Sequence, residues 1–136
     1  MRAVLDPNVI ISALLSTGTT AAVLDAWLDH RRYDPVVCPV LLSELEEVLA
    51  RPKFAVVGHE VIAGVIGRLR SDGDLAEEPV VEAGVTVDPD VEYLVALARQ
   101  SGADCLVSGD PHLRQANLDD VVVLTPAEFL VRLSQD

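Results

Sequence analysis

A chain of 136 residues is long enough for one domain with its own hydrophobic core, and nothing in it calls for a second. Half of it is apolar, yet no run approaches the roughly 20 apolar residues of a membrane-spanning helix, so no membrane contact is expected. Ten Lys and Arg against 22 Asp and Glu give a net charge of −12 at pH 7, which argues against a protein that grips nucleic acid by broad electrostatics.

The short apolar run at residues 2–5 ends at Asp6, and Pro7-Asn8 opens a second run to Leu15, a pattern of strand, turn and helix. After Ser16-Thr17-Gly18, Thr19 or Thr20 caps a helix on which Val23, Leu24, Trp27 and Leu28 recur at helical spacing, with Trp27 read as core. Val36-Val37-Cys38 is a buried strand. Pro39 starts a helix with Leu41, Leu42, Leu45, Val48 and Leu49 on one stripe, and Arg51-Pro52 ends it. An amphipathic helix is expected over residues 59–69, leaving through Ser71-Asp72-Gly73. Residues 80–87 are rich in β-branched side chains and read as a strand running into Asp88-Pro89-Asp90. A helix over residues 90–100, a strand at 105–107 ending in Ser108-Gly109-Asp110-Pro111, a strand at 121–124 and a helix capped by Thr125-Pro126 complete the chain.

Strands separated by helices imply an α/β fold: a central parallel sheet with helices on both faces, over residues 1–136 as one domain. Cys38 and Cys105 sit in apolar stretches far apart and read as buried thiols. Met1-Arg2 leads directly into Ala3-Val4-Leu5 without the features of a secretory leader, so a cytoplasmic location is expected.

Open parallel sheets bind ligands beyond the carboxyl ends of their strands. Acids collect there: Asp6 after the first strand, Asp88 and Asp90 after residues 80–87, and Asp110 after the strand at 105–107. Clustered carboxylates repel one another and are commonly neutralised by Mg²⁺ or Mn²⁺, whereas Asp at a strand-to-helix junction is also an ordinary cap. On the helix from Pro39, Glu44 and Glu46 flank the leucine stripe on opposite shoulders, and periodicity does not choose between them.

The segment Val4-Leu5-Asp6-Pro7-Asn8-Val9 followed by an apolar run resembles the opening of PIN domains, with Pro7 where Thr is usual. The stretch from Cys38 to Phe54 is similar to the second motif of the PIN subfamily of toxin components, and that likeness selects Glu44. Ala103-Asp104-Cys105-Leu106-Val107-Ser108-Gly109-Asp110 resembles the fourth motif, and Leu124-Thr125-Pro126-Ala127-Glu128-Phe129-Leu130 resembles the closing helix. Asp88-Pro89-Asp90-Val91-Glu92-Tyr93-Leu94 resembles the third motif, in which an acid normally stands where this chain has Val91.

The resemblance implies a VapC-like, metal-dependent ribonuclease, the toxin of a bacterial toxin–antitoxin pair. Its partners would be an RNA substrate, a cognate antitoxin protein and, at the level of assembly, a second copy in a homodimer. Asp6, Glu44 and Asp110, joined by Glu92 or Asp90, would hold one or two Mg²⁺ or Mn²⁺ ions that activate water. Glu92 has the longer reach, and Asp90 is suited to cap its helix. Asn8, Ser12 and Ser108 would orient ligands or water; Arg51, Lys53 and Arg99 could touch the RNA backbone, but exposed cations are usually just solvated, and they stand outside the expected site. Two rivals stand beside this reading. One is a PIN-fold module that binds RNA or a protein partner, its catalysis weakened by Val91. The other is a phosphoacceptor domain like those of response regulators, disfavoured because residues 106–111 offer no Lys.

Overall fold

Ala3, Val4 and Leu5 are buried because β1 (Arg2–Leu5) is the central strand of the sheet, paired in parallel on both edges. The computed structural model describes residues 1–80, 89–115 and 120–135. From β1 the chain passes through α1 (Pro7–Leu15) and α2 (Thr19–Leu28) to β2 (Asp34–Val37), then through α3 (Pro39–Leu49), a 3₁₀ turn (Pro52–Phe54) and α4 (His59–Asp72) to β3 (Asp74–Leu75). After α5 (Pro89–Ser101) come β4 (Cys105–Val107), α6 (Pro111–Gln115), β5 (Val123–Leu124) and α7 (Pro126–Ser134).

The strand order is β3-β2-β1-β4-β5, every pairing parallel, with Val4 opposite Val36 on one side and Leu106 on the other. The chain therefore builds outward from β1 in one direction, then returns to add strands in the other. Right-handed crossovers put the helices of the two directions on opposite faces. The result is a single α/β domain with a central parallel sheet flanked by helices on both faces, α5 lying against β1 and β4. The order reverses between β1 and β4, and Asp6 and Ser108 stand at the ends of those two strands.

The apolar stripes read from the sequence form one core: Ile10 of α1, Leu24 and Trp27 of α2, Leu41 and Leu45 of α3, Leu69 of α4, Leu97 of α5 and Phe129 of α7. Tyr33 meets Phe129 edge to face at 4.9 Å, and its hydroxyl donates to the Val23 carbonyl at 2.8 Å. Cys38 and Cys105 are buried free thiols, as expected. Among the described residues no single helix is long and apolar enough to cross a membrane; α1 and α2 meet the test only together, and they are bent by 100°.

Several elements differ from expectation. β3 was not foreseen because two residues carry no periodicity; Asp74 and Leu75 are strand only by pairing with Val36 and Val37. Gly73 lets α4 turn into it: a Cβ there would lie 2.4 Å from the Leu69 carbonyl oxygen. The 3₁₀ turn and α6 are likewise too short to leave a period. The expected strand over residues 80–87 falls almost wholly on residues 81–88, which lie outside the described residues, as does Asp88.

Candidate functional site

Asp6 follows a buried strand and precedes Pro7, which has no N–H to satisfy and a backbone angle suited to the first helical turn. The Asp6 side chain caps α1, Oδ1 accepting from the Asn8 N–H at 2.9 Å. Its own N–H donates to the Val107 carbonyl at 2.9 Å and ties the end of β1 to that of β4. This pairing brings Ser108 alongside. The Ser108 hydroxyl, 0% exposed, donates to Asp6 Oδ2 at 2.8 Å and accepts from the Asp110 N–H at 3.0 Å. Asp6 is 6% exposed, a buried carboxylate with a protein donor on each oxygen.

Asp110 stands one turn further out. Its Oδ1 accepts from the His112 N–H at 2.9 Å, the geometry of a cap on α6, and the His112 Nδ1 lies 3.2 Å from the same oxygen. Asp6 and Asp110 line a cleft of about 390 Å³ with Asn8, Ser12, Thr20 and Gly109. The Ser12 and Thr20 hydroxyls are 3.1 Å apart and link α1 to α2 across its wall.

Glu44 faces a different space. The Tyr93 hydroxyl of α5 donates to Glu44 Oε2 at 3.0 Å, and the two line a cleft of about 410 Å³ with Ser43, Glu47 and Glu78. Burial, then the negative charge of Glu44 and of Asp6 beyond it, pushes the Tyr93 phenol well above its ordinary range. Glu78 caps α3 by accepting from the Val40 N–H at 2.6 Å. Glu46, left equal to Glu44 by periodicity, points instead to α4 and pairs with Arg70.

Glu92 is half-buried on α5 and engaged. Asp90 and Val91 stand in the first turn of α5, their side chains outside the described set. Of the cations weighed and set aside as RNA contacts, Arg99 pairs with Asp120, with Nη2 3.0 Å from Oδ1, and that bond holds the Asp120 carboxyl below its usual range. Lys53 lies 5.1 Å over the Phe54 ring, and Arg51 is exposed. None of the three lines either cleft.

Among the described residues, no group of three or more His, Cys, Asp or Glu side chains is placed to hold a metal ion. That overturns the expected Mg²⁺ or Mn²⁺ cofactor and, with it, the metal-dependent ribonuclease and hydrolase activity that rested on it. The physical reason lies in the partners: Asp6 is spent on Ser108 and the α1 cap, Asp110 caps α6 beside His112, and Tyr93 holds Glu44 in the second cleft. The described residues do not fit such an ion. Tyr93, His112 and Glu78 went unnoticed in the sequence; the one available signal was a lone tyrosine on an aliphatic helix in a chain with 4% aromatic residues.

A family model described as a PIN domain matches residues 2–112. The solved structure of VapBC2 from Rickettsia felis bound to a DNA fragment from their promoter is similar at a TM-score of 0.62 and 12% identity, over 92% of this chain and 98% of that one. At that identity the likeness is one of fold. No curated protein matches the chain.

Proposed function

Because the chain belongs to the PIN-domain family and its described acids do not assemble a metal centre, we propose that it works as a catalytically weakened PIN-fold module that binds a protein partner, an antitoxin-like chain. The engagement of Asp6, Asp110 and Glu44 by protein donors, with no group of three acids placed to hold an ion among the described residues, carries this reading. Acidic side chains arranged in this way offer acceptors to the Lys and Arg of a partner, and a net charge of −12 steers a cationic protein toward them while repelling a polyanion. Asp6, Asp110, Glu44, Glu92 and Asp90 are then residues that shape or line a binding surface, Asp6 from beneath through its buried bonds. The likeness in fold to a VapBC2 chain supports the choice of an antitoxin-like partner.

The test is co-expression with the product of an adjacent small reading frame, followed by light scattering, together with incubation of the purified chain with single-stranded RNA and Mn²⁺. A stoichiometric complex without RNA cleavage is expected. Cleavage that Asp6→Asn abolishes would overturn the reading, and tight RNA binding with neither cleavage nor a protein complex would move it to RNA.

A further inference from the structure

Residues 76–80, which follow β3, pass the start of α3 without sinking into the protein. None of them is buried, and Leu75 before them and Val80 at their end are 58% and 73% exposed. A segment that buries so little apolar area draws little stabilisation from it, so its place depends on hydrogen bonds. Among the described residues it is tied at both ends and in the middle. The Ala76 N–H donates to the Val37 carbonyl at 2.7 Å, and the Val40 N–H donates to Glu78 Oε1 at 2.6 Å. At the far end the Gln100 side-chain amide donates to the Val80 carbonyl at 2.8 Å and accepts from the Val80 N–H at 3.2 Å. The Glu78 and Gln100 side chains are exposed, and water competes for such bonds, so their net worth is small.

The ties to Val37 and Val40 bracket Cys38, the N-cap of α3, which is 0% exposed. Glu78 also lines the second cleft with Glu44 and Tyr93. We propose that residues 76–80 are a releasable strap, latched by Glu78 on α3 and by Gln100 on α5, whose local opening uncovers Cys38 and removes one wall of the second cleft. The thiol changes character with that opening. Burial now pushes it up, the Leu41 and Val40 N–H groups pull it down, and the charge of Glu78 adds to the push. Withdrawal of the strap takes away the cover and the Glu78 charge together, leaving a thiol beside free N–H groups at a helix N-terminus, surroundings that favour the thiolate. The strap works in this way whether or not a partner docks in the second cleft, so the two readings fail separately.

Alkylation of the native chain tests it. The full chain is pulsed with iodoacetamide at about pH 8, below the ordinary range of a thiol, and the labelling rates of Cys38 and Cys105 are read by peptide mass. Cys105 is buried within β4, away from the strap ties, and reports global opening. Cys38 should label about tenfold or more faster than Cys105, because local opening is more populated than unfolding. Glu78→Ala should raise the ratio of the two rates by a further factor of about ten, the population shift that loss of a latch brings. Gln100→Ala should move it in the same direction, while Glu78→Gln, which keeps an acceptor for the Val40 N–H, should leave it near the original value. A variant that merely destabilises the fold speeds Cys105 as well and lowers the ratio. Equal rates at the two thiols in the unaltered chain overturn the proposal, and so does a ratio that Glu78→Ala leaves unchanged or lowers.

Discussion

Ser108 has no exposure at all, and its hydroxyl serves both Asp6 and Asp110. Removing that oxygen leaves a buried carboxylate and a backbone N–H each short of a partner, which costs about 1–3 kcal/mol. Ser108→Ala should therefore lower the unfolding free energy by that amount, read as a lower urea midpoint at an unchanged slope of the transition. Cys105 supplies a pH dependence. Burial pushes its thiol up from 9.0 to about 11, with Arg132 pulling it down and Asp104 up. The unfolded chain thus releases this proton earlier than the folded one. Stability from this group is present in full below pH 9 and is lost as pH rises toward about 11. Denaturant midpoints under reductant should fall across that window, and Cys105→Ala should remove that part of the fall. The part due to Tyr33 and Tyr93, whose phenols are also raised by burial, should remain above pH 10.

At the scale of elements, the junctions carry most of the information. Pro7, Pro39 and Pro126 each open a helix, and Thr125 with Glu128 forms a reciprocal capping box on α7. These starts were readable because capping chemistry is local. The exit of α4 was readable only as a stop. What Gly73 permits is the immediate turn into β3, the edge strand on β2, where an added Cβ would lie 2.4 Å from the Leu69 carbonyl oxygen and 3.3 Å from that of Pro35. Gly73→Ala should destabilise by about 1–3 kcal/mol through that overlap, read as a lower thermal midpoint with the helix content of the rest of the chain retained. Gly102, at φ +69°, ends α5 by the other use of glycine, a left-handed backbone.

Across the whole molecule, the alternation of strands and helices, the buried stripes and the cap at Thr125 followed from the sequence alone, because each depends on the direction of a side chain relative to its own element. The order of short motifs also pointed to the PIN-domain family. Which acids share a space did not follow. Four carboxylates at strand ends are a fact along one dimension, and their convergence depends on how α3 and α5 rotate against the sheet as their apolar faces pack. The pairing of β1 with β4 gives Asp6 to Ser108, the local cap on α6 gives Asp110 to His112, and the packing of α3 gives Glu44 to Tyr93 of α5 and Glu46 to Arg70 of α4. Partners separated by as much as 102 residues leave no local period to read. The sequence by itself determined the architecture and the candidates. Only the tertiary structure decided which candidates meet, because distances between elements are set by the volumes that fill the core between them.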